Sequence, residues 1–140
     1  MFKLKNKFAI GCLVQWYEIE IIEEYLQSLK SSIKNIENKE NVIVDLFFNM
    51  TTSLEDIDTT QYEMRDISRR FKNLEEDLID FGMNIHTKTL GGIMLHEMIE
   101  IYTIADYRRE FNDKYCTEVD VLMWGESDSL IPRQTFQILD

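Results

Sequence analysis

A chain of 140 residues with 44% hydrophobic side chains can fill one packed core, so a single domain spanning 1–140 is expected. Its formal charge of -11 excludes non-specific nucleic-acid binding, which needs clustered Lys and Arg to neutralise phosphates. No apolar run approaches the roughly 20 residues of a transmembrane segment, the start Met1 to Lys7 carries no cleavage-type site, and Cys12 and Cys116 make neither a disulfide framework nor a metal-ligand spacing. The expectation is a soluble, cytoplasmic protein with idle thiols.

Residues 8–14 form a short continuous apolar run, the pattern of a strand covered on both faces. After a turn at Gln15-Trp16-Tyr17-Glu18, the residues Ile19, Ile22, Tyr25, Leu26 and Leu29 recur at helical spacing to about Ser32. A polar connection leads to residues 42–48, rich in β-branched and aromatic side chains and read as the second strand. Residues 49–56 close it with a capping-type pattern, Ser53 followed by Asp56. Ile67, Phe71, Leu74 and Leu78 then mark an amphipathic helix from about Gln61 to Asp80, which Gly82 ends.

Residues 84–90 alternate weakly and are read as a short third strand, after which Gly91-Gly92 breaks the chain. The next helix is expected to present an inner stripe of Met94, Met98, Ile101, Ala105 and Phe111, with Asp106, Arg108, Arg109 and Glu110 outward. The last strand, Val119 to Trp124, runs into a turn with two carboxylates, Glu126 and Asp128, and Pro132 is placed in the first turn of a terminal helix. The order β-α-β-α-β-α-β-α implies an α/β fold. Its sheet is a mostly parallel one of about four strands with helices on both faces, in a Rossmann-like arrangement joined by right-handed crossovers. Ligands of such sheets bind at the carboxyl ends of strands, where the Glu126-Ser127-Asp128 turn lies.

Two carboxylates one residue apart on a turn can present oxygens to a hard cation, Mg²⁺ or Mn²⁺, which keeps water and ligand phosphate in its other positions. Such a cation would let an acidic protein bind a phosphorylated ligand. A hydrophobic strand, an acid-x-acid turn, two apolar residues and a proline together resemble the DXD turn of GT-A fold glycosyltransferases. The segment from Ile10 to Leu29, with Trp16-Tyr17-Glu18 and Leu26-Gln27-Ser28-Leu29, is similar to the opening strand and helix of the family-two type. Ala105-Asp106-Tyr107-Arg108-Arg109 resembles the segment that precedes the DXD strand in that family. Glu126 stands where the first Asp is usual, the common first-turn proline is absent, and Asn49 replaces an Asp at the end of the second strand.

The resemblance implies a GT-A half: a domain that binds a nucleotide-sugar donor through Mn²⁺ or Mg²⁺ for transfer of the sugar to a saccharide or other hydroxyl acceptor. Under it, Trp16, Tyr17 and Glu18 surround the nucleobase, and Asn49, or Asp45 if the strand ends earlier, bonds base or ribose. Arg108 or Arg109 pairs with the diphosphate, and Glu126 and Asp128 hold the metal, whose Lewis acidity offsets charge on the leaving group. Each residue also has a purely structural role open to it. Trp16 and Tyr17 can pack under the first helix, Arg108 and Arg109 can pair with Glu110 and Asp106, and Asn49 can cap a turn.

In the family the general base lies well beyond the DXD turn, whereas here Asp140 follows Asp128 by a dozen residues. The expectation is therefore a donor-binding front half lacking the acceptor half, with catalytic residues unassigned. The competing class is a non-catalytic acidic α/β interaction or assembly domain. Other chemistries find no support. His96-Glu97 lacks the second histidine of a zinc-protease helix, Glu100 standing in its place. His86 and His96 are isolated, and Ser127 and Ser129 have no nearby histidine for a hydrolase triad.

Overall fold

The structure, a computed structural model, describes residues 1–53, 64–94, 104–126 and 129–140. Strand β1 (Phe8–Gln15) ends in a 3-10 turn (Trp16–Glu18) that starts helix α1 (Ile19–Ile33). Strand β2 (Val42–Ser53), helix α2 (Met64–Asp80) and strand β3 (Asn84–Met94) follow. Helix α3 (Ile104–Tyr115), strand β4 (Val121–Trp124) and a short α4 (Thr135–Leu139) complete the chain. The four strands pair in the order β3-β2-β1-β4, every pair parallel. The fold is α/β, with helices on both faces of a parallel sheet in a Rossmann-like arrangement.

Strand periodicity sorts the two faces. Phe8, Ile10, Cys12 and Val14 of β1 join Val42, Val44, Leu46 and Phe48 of β2 in one core with α1, α2 and Phe136 of α4. Phe48 stacks on Phe71 at 4.1 Å, and Phe8 meets Phe136 edge-on at 5.4 Å, aromatic contacts that fix α2 and α4 on this face. The alternate residues Ala9 and Phe47 join Tyr107, Phe111 and Tyr115 of α3 in a smaller core on the other face. Among the described residues, α3 is the helix that packs on this face.

Several elements differ from the sequence expectation. Strand β2 continues past residue 48 to Ser53, because β3 continues beside it: Asn49 pairs with Leu90, Met50 with Gly91, Thr51 with Gly92 and Ser53 with Met94. Gly91-Gly92 therefore lies inside a ladder, and Asn49 sits within a strand. Met94 belongs to β3, Ala105 is exposed, and the buried stripe of α3 is Tyr107, Phe111 and Tyr115 at four-residue intervals. Met98 and Ile101, with the expected helix start at 61–63 and the Asp56 cap, lie outside the described residues.

Pro132 precedes α4; its carbonyl accepts from the Thr135 amide at 3.2 Å and hydroxyl at 2.7 Å, which closes a turn before the helix. Gly82 ends α2 as expected. At φ 95° it lets the Met83 amide reach the Leu78 carbonyl (3.1 Å) and its own amide reach Ile79 (2.9 Å), the paired bonds of a Schellman cap.

Side-chain oxygens fasten the amino-terminal edge of the sheet. The Asp140 carboxylate accepts from the amides of Lys5 (2.9 Å) and Asn6 (2.8 Å), and Asp120 accepts from Lys7 at 2.8 Å. Both clasps lie at the edge opposite the strand carboxyl ends and leave that end of the sheet to the turns.

Candidate functional site

Strand pairing between β1 and β4 stops at Gly11↔Trp124, while β1 runs on to Gln15 beside Asn49 of β2. At about 3.3 Å per residue, β1 overshoots its neighbour by roughly 13 Å. The chain leaves β1 toward α1 on one face and reaches β4 from α3 on the other. The β1/β4 boundary is thus the topological switch point, the place where open α/β sheets bind ligands.

Two groups of the sequence-predicted residues flank this boundary. At the end of β1, the Glu18 carboxylate accepts from the Gln15 amide at 2.8 Å, and the Asn49 side-chain amide donates to Gln15 Oε1 at 3.2 Å. Trp16 is buried, whereas Tyr17 is 60% exposed and meets the Trp16 ring edge-on at 5.5 Å. Packing under the first helix is therefore the role of Trp16 alone, and Tyr17 offers a free face at the carboxyl edge. At the end of β4, the Arg108 guanidinium lies over the Trp124 ring at 5.0 Å and 3.6 Å from Glu126 Oε1.

Arg108 thus pairs across elements with Glu126 rather than along its own helix. Arg109 lies 3.8 Å from Asp106 of its own helix, the pairing open to a helix-surface arginine. Asp128 and Ser127 lie outside the described residues. Among the described residues no group of three or more His, Cys, Asp or Glu side chains converges as a metal site. His86 meets the edge of Tyr115, and His96 is outside the described residues.

Beneath the β4 end, Gly125 donates to the Gly11 carbonyl at 2.7 Å and lies against the Tyr25 hydroxyl, leaving no room for a side chain at 125. The Tyr25 hydroxyl is buried without a hydrogen-bond partner among the described residues. Burial, with a smaller contribution from Cys12, pushes it well above the ordinary tyrosine range.

A second polar constellation was not read from the sequence as a site. Asp45, the one acid in the apolar run of β2, faces α3, where Tyr107 donates to Oδ1 and Tyr115 to Oδ2, each at 2.7 Å. Lys114 Nζ stands 3.7 Å from Oδ2. Burial first, then the Asp45 carboxylate, hold the Tyr107 proton far above its ordinary range, and Tyr115 is shifted the same way. Asp45 is thus not a base or ribose contact at a strand end; it is a mid-strand anchor for α3. The signal available in sequence was a lone carboxylate among β-branched residues.

These shifts fix a pH dependence. Tyr25 and Tyr107 keep their protons in the folded chain at pH values where the unfolded chain, with tyrosines near 10, gives them up. Stability from this source is complete below about pH 10 and falls above it by about 1.4 kcal/mol per pH unit for each such tyrosine. Urea unfolding between pH 9 and 11.5 measures this slope, and Tyr107→Phe should make it shallower by about that amount. An unchanged slope would show that Tyr107 ionises freely in the native state.

The class defined by the fold is a doubly wound, parallel α/β domain whose switch point lies between its first and last strands. Comparison of the chain with protein-family models, with curated proteins and with solved structures finds no match. No helix of the described residues is long and apolar enough to cross a membrane.

Proposed function

We propose that the carboxyl-edge crevice between β1 and β4 binds a nucleoside-diphosphate sugar through Mn²⁺ or Mg²⁺, as the donor-binding part of a GT-A-type glycosyltransferase. The observation that carries this reading is the strand order β3-β2-β1-β4 with β1 outrunning β4 at the switch point, which leaves a step between Tyr17 and the Arg108-Glu126 pair. In this reading Tyr17 supplies an aromatic face for the base, an area contact with little entropy cost. Asn49 and Gln15 shape the end of β1 on which base or ribose rests.

Arg108 and Glu126 have complementary tasks. Their contact is solvent-exposed on both sides, with side-chain accessibilities of 36% and 58%, so it contributes at most about 1 kcal/mol and is readily exchanged. Phosphate oxygens would take the guanidinium as a fork-shaped partner, while Glu126 and Asp128 turn to the cation. Stacking on Trp124 keeps Arg108 in place through that exchange. The cation, when bound, offsets charge on the departing diphosphate. The acceptor would be a saccharide or another hydroxyl compound.

Thermal unfolding with UDP or GDP, each with and without Mn²⁺, tests this. Stabilisation is expected only when nucleotide and metal are both present, reaching about 2.7 kcal/mol at a hundredfold excess over Kd. Asp128→Ala should remove the metal-dependent part and leave the unliganded unfolding temperature unchanged. No response to either nucleotide with Mn²⁺ would sink the donor-binding reading and leave the acidic interaction domain in its place.

A further inference from the structure

The ladder between β1 and β4 stops one rung short at the switch point. Odd-numbered residues of β1 turn their main-chain groups toward β4: the Lys7 carbonyl accepts from the amides of Asp120 (2.9 Å) and Val121 (3.1 Å), and the Gly11 carbonyl from Gly125 (2.7 Å). Leu13 is next in that series, so its amide faces the Gly125 carbonyl where β4 ends. Pairing stops at Gly11↔Trp124, and among the described residues neither the Leu13 amide nor the Gly125 carbonyl has a hydrogen-bond partner.

A second unused donor lies against the same residue. The Tyr25 hydroxyl, on the α1 face, occupies the space a side chain at 125 would need, is fully buried, and has no partner among the described residues. A hydroxyl buried in this way costs free energy that a phenylalanine at the same position would avoid. One carbonyl oxygen has two lone pairs and can accept from both donors. The unmade bonds thus converge on one atom, the oxygen of Gly125.

The far end of the turn is anchored, since the Ser129 amide donates to the Glu126 carbonyl at 3.0 Å and the Ile131 amide to Ser28 Oγ of α1 at 2.9 Å. What can turn is the peptide joining Gly125 to Glu126, with the freedom of a glycine on one side. That peptide also carries Glu126, whose carboxylate stands 3.6 Å from Arg108.

We infer that binding of cation and nucleotide closes this gap: the Gly125 peptide turns its oxygen onto the Leu13 amide and the Tyr25 hydroxyl, β4 gains one rung, and Glu126 moves from Arg108 to the cation. Tyr25 is thereby a positioning residue for the Glu126 turn. The inference rests on the donor-binding reading above and adds a closing step to it.

Calorimetric titration of UDP or GDP with Mg²⁺ into wild type and Tyr25→Phe, together with amide exchange at Leu13 followed by NMR, tests the closure. In the saturated wild type, exchange at Leu13 should slow by about tenfold or more. Tyr25→Phe should bind the nucleotide with Mg²⁺ about tenfold more weakly, the equivalent of one hydrogen bond. As free protein it should unfold in urea at the same midpoint as wild type or a higher one, whereas loss of a merely structural bond would lower the midpoint. If the nucleotide binds while exchange at Leu13 is unchanged, or if Tyr25→Phe binds as tightly as wild type, the closing step is wrong and the donor site stands. A lowered midpoint in free Tyr25→Phe would show the hydroxyl already bonded before binding and would overturn the step as well. No binding of either nucleotide by wild type would overturn both the step and the reading beneath it.

Discussion

Asp45→Ala is expected to cost about 3 kcal/mol of folding stability, lowering Tm by roughly 10 °C for a domain of this size. The estimate follows from what the carboxylate holds. Two buried hydroxyls, Tyr107 and Tyr115, both donate to it at 2.7 Å, and hydrogen bonds to a charged acceptor contribute about 1.5–3 kcal/mol each. The lower end applies because the Asp45 side chain is 14% exposed and water can partly replace it. Alanine leaves the Tyr115 phenol over an apolar floor without its acceptor and leaves Tyr107 only its longer bond to the main-chain carbonyl of residue 45, at 3.2 Å. Asn keeps the shape but offers one acceptor atom where two are used, so Asp45→Asn should fall between wild type and Ala. Introducing Asp45→Ala into a Tyr107→Phe, Tyr115→Phe background should cost far less than in the wild type, because the orphaned donors are gone. Equal losses in the two backgrounds, read by urea unfolding, would mean that Asp45 acts through something other than these two bonds.

That network also shows where the sequence stopped being legible. β1 and α1 were readable because their information is local: a continuous apolar run, then a 3.6-residue stripe from Ile19 to Leu29. The carboxyl halves of β2 and β3 were not, since Thr51, Thr52, Gly91 and Gly92 have no strand pattern of their own and are extended through pairing with each other. The stripe of α3 was misplaced because the expected helix was begun at Met94, inside what is a strand, so that the stripe included Phe111 but passed over Tyr107 and Tyr115. Asp45 finds its partners 62 and 70 residues away, a separation at which periodicity carries nothing. The candidate crevice was legible as a strand end followed by Glu126. The Arg108-Glu126 contact and the division between buried Trp16 and exposed Tyr17 needed three dimensions.

Gly11→Ala is expected to destabilise the chain by about 2 kcal/mol, against the usual small gain from replacing glycine in a strand. The reason is space, since a Cβ at position 11 would stand 2.6 Å from the Tyr107 hydroxyl and 2.7 Å from Cδ2 of Phe111. Neither group can swing aside at no cost. Tyr107 is held by Asp45, and Phe111 is packed against Tyr115 at 5.1 Å on one side and Tyr107 at 6.1 Å on the other. The only remedy is to lift α3 from the sheet, which opens the second core and lengthens the Tyr107-Asp45 bond. Gly11→Val should be worse, because it adds two methyls where one carbon already collides. Removing an obstacle supplies the control: Phe111→Leu combined with Gly11→Ala should cost clearly less than the sum of the two single losses, since each change relieves the strain of the other. Strict additivity in urea unfolding, or a neutral Gly11→Ala, would show that α3 does not lie on Gly11 as closely as these distances require.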